Sequence, residues 1–202
     1  IQEELEKGKL SGISLKKMQS GASLSAKNVF GDMKFNKDYA GYEYSGKSID
    51  GYVKLSGGTK IQFRSFGAGL GLTGFQGEVK GANANQGKIG LGPTNMILRS
   101  HGAPEIPTNA ASRVRTDPDG VFNEIAVGLK KYARLTQKQI EEVRESEKIN
   151  TPKFLYSKLQ VTQLLNILES ITNRDKRNQL VEDLYLYASS QSRFSSAYYK
   201  LE

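Results

Sequence analysis

Glycine placement constrains this chain more than any other feature. Eighteen of its 21 glycines fall between Gly8 and Gly92, and none follows Gly128. Glycine suits turns and weakens helix interiors, so the first part should be strands and turns and the second helices. The fold class expected is α+β: a small mixed sheet from the glycine-rich N-terminal half, with a C-terminal helical bundle packed on it. The division this implies is a basic β-rich part over 1–100, an irregular linker over 101–118 and a mainly helical part over 119–202. With 202 residues, the chain can bury a full core.

Local patterns fill in that division. Ile1 to Lys9 reads as a helix end stopped by Gly8, and Leu10 to Lys17 alternates as a half-buried strand does. Gly21 to Tyr44 has no firm period and reads as a long loop or short amphipathic helix. Ser48 to Leu55 alternates again, Gly57-Gly58 makes a hairpin turn, and Lys60 to Phe66 and Phe75 to Gly81 read as strands. Lys88 to Leu91 reads as a short strand, and Arg99 to Asp119, with three prolines, as irregular chain. Helices should follow from Asp117 or Asp119 to about Leu135, from Thr136 to about Ile149, and from Thr151-Pro152 onward. A break at Asn173 to Asp175 precedes a fourth helix, and Arg193 to Leu201 reads as a final strand.

Charge and composition narrow the chemistry. The formal net charge is +8. Residues 1–100 carry 14 Lys/Arg against 8 Asp/Glu, and residues 101–202 carry 15 against 13, so the excess lies with the glycine-rich half. Such a balance favours a polyanionic partner or an acidic surface. With no cysteine there are no disulfides and no thiolate metal sites. A single histidine, His101, removes any histidine metal cluster and argues against a Ser-His-Asp triad. No apolar run approaches the roughly 20 residues of a membrane span. The chain reads as soluble, and its start at Ile1 suggests that residues precede it.

Phe75 to Gly81 carries the most chemistry. Glu78 and Lys80 lie two apart on a strand, so both leave the same face. Magnesium takes carboxylate oxygens and needs neither His nor Cys. Asp50 and Glu78 are therefore the candidate ligands for Mg2+, with Lys80 positioning or polarising a water for phosphodiester hydrolysis. The alternative is a solvated charged pair on a strand face. Lys54, Lys60, Arg64, Lys88 and Arg99 are candidates for a phosphate-binding face, interleaved with Tyr42, Tyr44, Tyr52, Phe63 and Phe66. The same aromatics can equally be sheet core. Gly69-x-Gly71-x-x-Gly74 fits the dinucleotide fingerprint in spacing, but a strand pattern follows where a helix is needed. Gly81 to Lys88 has one residue too many for a phosphate loop, and Ile89 stands where Ser or Thr should bind magnesium. No nucleotide cofactor is expected. Arg113 and Arg115 reach either a phosphate or Asp117.

Three segments resemble phage-encoded proteins with a PD-(D/E)xK-type nuclease fold: Gly8 to Lys17, Phe75 to Pro93 and Ser195 to Leu201. The resemblance implies a metal-dependent DNA endonuclease, with Lys16 as the catalytic lysine, Lys17 beside it on the nucleic-acid side, and a catalytic Asp upstream of Ile1. Ser14 stands where that family usually has an acid. The chain then uses Asp50, Glu78 and Lys80, or is completed by residues before Ile1, or keeps a nuclease-like fold without the activity. Lys16 and Lys17 can also be a strand-end pair facing solvent. The alternative function is a non-enzymatic phage virion or assembly protein whose basic face packs on DNA or on other phage proteins. Either places the protein in the host cytoplasm or the virion.

Overall fold

The structure, a computed structural model, describes residues 37–65, 72, 74–81 and 87–189, together with the backbone of 12–14, 24–27 and 198–201. The fold is α+β. Five strands, β3 (Tyr39–Tyr44), β4 (Gly51–Leu55), β5 (Lys60–Ser65), β6 (Phe75–Lys80) and β7 (Lys88–Gly90), form an antiparallel sheet in sequential order. A second, three-stranded sheet is the mixed one. In it β8 (Tyr198–Leu201) lies between β1 (Gly12–Ser14), to which it is parallel, and β2 (Leu24–Lys27), to which it is antiparallel. The described residues form six α-helices: α1 (Leu91–Ser100), α2 (Ala110–Thr116), α3 (Pro118–Tyr132), α4 (Gln137–Glu145), α5 (Pro152–Ser170) and α6 (Arg174–Ala188).

Period-two burial explains the five-stranded sheet. Val53, Leu55, Ile61, Phe63, Phe75, Val79 and Ile89 point to one side and are buried with the helices. Charged and polar residues alternate with them and leave the other side. Helix α5 lies at the centre of the helical layer, packing on β5, α2 and α3. It is buried nearly all round, from Phe154 to Leu168, as a helix enclosed on several sides must be.

Two glycines set how closely α5 is held. A Cβ on Gly51 would collide with Val161 of α5, and one on Gly128 would stand 2.6 Å from Thr162 Cγ2. Backbone from the sheet and from α3 thus presses directly on α5. Around those contacts the polar groups are paired. Ser157 Oγ donates to the Ile49 carbonyl and accepts from the Ser65 amide, and the Tyr44 and Thr162 hydroxyls meet at 2.6 Å.

The first strand of the five is fastened to the far end of the helical layer. The Tyr39 amide and hydroxyl donate to Asn178 and Glu169 at 3.0 and 2.5 Å. Asp38 accepts from Arg174 and Asn178, and Arg177 lies over the Tyr39 ring.

The helix starts follow their caps. Thr136 and Gln139 form a capping box, Thr151 caps α5 ahead of Pro152, Asn173 caps α6, and Asp117 accepts from the Gly120 amide at the start of α3. Three local expectations need correction. Tyr39–Tyr44 is a strand rather than loop or helix. The strand at Lys88 ends at Gly90, and Leu91–Ser100 is helical. The segment expected to be irregular contains α2, whose Ala110 and Val114 are buried. The helix end expected over Ile1 to Lys9 lies outside the described residues.

Gly51→Ala should lower unfolding stability by about 1–3 kcal/mol through overpacking against Val161. Chemical denaturation checks this, and an unchanged midpoint would contradict the close approach.

Candidate functional site

The polar side of the five-stranded sheet holds most of the residues expected to be functional. Strand register sorts them into rows. Tyr52 is opposite Gln62, Gln62 opposite Glu78, and Glu78 opposite Lys88, with Glu43 extending the row at β3. In the next row Lys54 is opposite Lys60 and Lys60 opposite Lys80. Arg64 is opposite Gln76 on the other side of the first row, and Asp50 lies just before Gly51, whose partner is Phe63.

Ion pairs tie these rows together. Glu78 receives Lys80 Nζ at 2.9 Å on one oxygen and Lys88 Nζ at 3.3 Å on the other. Partial burial pushes its carboxyl up, but the Lys80 and Lys88 ammonium groups outweigh that, and the group lies below its ordinary value. Lys60 Nζ meets Glu43 at 3.1 Å and lies 4.8 Å from the Tyr52 ring centre. Arg64 Nε is 3.8 Å from Asp50 Oδ1. Among the described residues, Lys54 has no ionic partner.

Asp50 and Glu78 therefore sit in separate ion pairs. Two strands and two residues separate them, about 12 Å between Cα positions at ordinary sheet spacing. Asp50 is further held by the Ser48 hydroxyl at 3.1 Å. Both Glu78 oxygens face lysines, so these two carboxylates do not converge as a Mg2+ site in this arrangement. Among the described residues no three His, Asp or Glu side chains come together to hold a metal ion. Glu78 and Lys80 do share one strand face, as their spacing requires. Lys16 and Lys17 lie outside the described residues.

Other candidates are placed elsewhere. Arg99 is in the last turn of α1 and pairs with Glu105 at 3.1 Å, away from the strand rows. Arg113 pairs with Glu124 at 2.9 Å rather than with Asp117. Tyr42 and Tyr44 pack on Tyr132 with ring centres 5.2 and 5.9 Å apart, and Phe63 is core, so Tyr52 alone of the described aromatics stays with the lysines. Phe66 is outside the described residues. His101 ends α1, and its Nε2 lies 2.7 Å from Asp183 of α6.

One residue escaped sequence reasoning. Lys158 of α5 is fully buried beneath the sheet, where Nζ donates to the Asp50 carbonyl at 2.7 Å and lies 4.0 Å from the Tyr44 ring centre. An ammonium has three donors and finds one oxygen here. Burial, partly offset by the Asp50 carboxylate, brings its pKa down to about 7. The signal was a lysine at an inward position of a leucine-rich helix, which reads equally as a stem reaching water. Comparison of the chain with protein-family profiles, curated proteins and solved structures finds no match.

Lys158 gives stability a defined pH dependence. Between its folded value near 7 and its ordinary value of 10.5, the unfolded chain binds the extra proton. Stability should therefore rise with pH across that window, by roughly 5 kcal/mol in all. Burial raises the Tyr39 and Tyr44 hydroxyls well above their ordinary value of 10, so stability should fall again beyond about pH 10. Denaturation of Lys158→Met across this range should show the rise flattened; a slope equal to that of the parent would refute the assignment.

Proposed function

We propose that the polar face of the five-stranded sheet binds nucleic acid, and that the protein is a nuclease-like DNA-binding protein. The row Lys54, Lys60 and Lys80 carries this reading. Like charges directly opposite one another destabilise a sheet, and here three lysines occupy adjacent strands. Glu43 and Glu78 hold two of them, while Lys54 has no ionic partner among the described residues. Phosphate groups crossing the row would supply the missing counter-charge. Arg64 and Lys88 extend the cationic surface to the neighbouring rows. Glu43, Asp50 and Glu78 keep the long side chains ordered, which lowers the entropy lost when a backbone docks.

Phosphodiester hydrolysis at Glu78 and Lys80 is the second reading. The observation favouring it is an ionised carboxylate 2.9 Å from a lysine on one strand face. It requires a metal bound with ligands other than the Asp50 and Glu78 pair as they stand.

Binding of a short DNA duplex should weaken linearly in log salt. Replacing Lys54, Lys60 and Lys80 together by Gln should lower that slope by about 3, near 0.9 for each phosphate that is no longer neutralised. Binding with an unchanged slope would remove the lysine row from the interface. Plasmid incubation with Mg2+ or Mn2+ separates the readings: cleavage abolished by Glu78→Ala supports hydrolysis, and binding without cleavage supports the first. A chain that neither binds nor cuts DNA would favour an assembly role.

A further inference from the structure

Ion pairs hold most cations of the sheet face, but among the described residues none is made by those where α3 ends and α4 begins. Val127, Lys130 and Lys131 follow one another at i, i+3 and i+4, on the side of α3 opposite its buried Val121, Phe122, Ile125 and Leu129, and Arg134 lies two residues past the helix end. Val127 is 65% exposed, a large apolar side chain standing in water. Among the described residues Lys130, Lys131, Arg134 and Lys138 have no acidic partner, and Lys131 lies against Tyr132, 4.9 Å from its ring centre.

Two of these positions go against local preference. Arg134 has φ 55°, the left-handed region that glycine ordinarily occupies after a helix. Lys138 is the second residue of α4, at the positive end of the helix dipole, and α4 has no acid in its first turn. Lys130 and Lys131 are different, since the last turn of α3 suits cations. Departures from local preference that nothing nearby offsets concentrate at functional surfaces.

The patch is also short. Arg144 of α4 reaches Asn123 at 2.6 Å and Asp119 at 3.7 Å, so α4 runs beside the first half of α3. Glu141 meets Arg144 at 3.5 Å on that flank, and Glu142 and Glu145 follow along α4. Those carboxylates would repel a nucleic-acid backbone continuing past the corner, whereas a brief acidic segment would end within it.

We infer that the α3–α4 corner docks an acidic segment of a partner protein, with carboxylates on Lys130, Lys131, Arg134 and Lys138 and an apolar side chain against Val127. The surface is separate from the sheet face and does not depend on what binds there.

Selection from a displayed library of random short peptides tests this on the full chain. Enriched peptides should carry Asp or Glu around an apolar residue and bind less well as salt rises. The double variant Lys130→Glu, Arg134→Glu should weaken them at least about tenfold, and Val127→Asp should weaken them too. Lys176→Glu, a single charge reversal on α6, should leave them unchanged, with thermal melts confirming that every variant folds. The inference is overturned if no peptide is enriched, if enriched peptides lack acids, or if the double variant binds them as the parent does. It is likewise overturned if the double variant abolishes binding of duplex DNA while no acidic peptide is selected, which would assign the corner to phosphate.

Discussion

The fold depends on how closely α5 approaches its neighbours. Gly51 on the sheet side and Gly128 on the α3 side leave no room for a Cβ against Val161 and Thr162. Because side chains do not separate the layers there, backbone polar groups of the sheet come within reach of α5. Ser157 and Lys158 answer them, each donating to a carbonyl just before β4. The sheet's polar face and its helical support are thus joined at Ile49 and Asp50, the residues where β4 begins. A protonated Lys158 there is costly to bury, and its chemistry couples the helical layer to the row that holds Arg64.

Charge is arranged differently on the two cationic surfaces. On the sheet, Glu43, Asp50 and Glu78 stand among the lysines and arginine, so the face is ordered before anything binds and its net positive charge is modest. At the α3–α4 corner the cations make no ion pair among the described residues, and the acids begin one turn further along α4. The first pattern suits a ligand that meets many fixed groups over a broad surface. The second suits a small partner drawn in at long range and stopped by like charge at the boundary.

Much of this was legible in the sequence because it rests on local rules. Strand alternation located β4, β5 and β6, Thr136 as a cap and Pro152 at a first helical position marked two helix starts, and the break at Asn173 to Asp175 falls where α6 begins. Glu78 and Lys80 share a face because strands have period two. What escaped depends on distant contacts. Tyr39–Tyr44 is a strand with a register shift at Gly41, whose irregular pattern hides the alternation. Helix α2 sits among prolines, and burial of Ala110 and Val114 against α5 sustains it more than propensity does. Glycine was read as turn and hinge, yet Gly51 and Gly77 lie inside strands where close packing requires them. The separation of Asp50 from Glu78 is a matter of register across two strand pairs, which spacing along the chain does not express.

The clasp on β3 bears on the order in which the chain can fold. Tyr39 is held by Glu169 and Asn178, and Asp38 by Arg174 and Asn178, partners 130 to 140 positions away. During synthesis β3 leaves the ribosome long before any of them exists. Until α6 is made, the outer strand lacks these anchors, and its unpaired edge is open to wrong partners, other copies of the chain included. The sheet can begin from its hairpins early, but fastening its outer strand waits for the last described helix, which makes translation rate and chaperone cover, rather than final stability alone, determinants of yield.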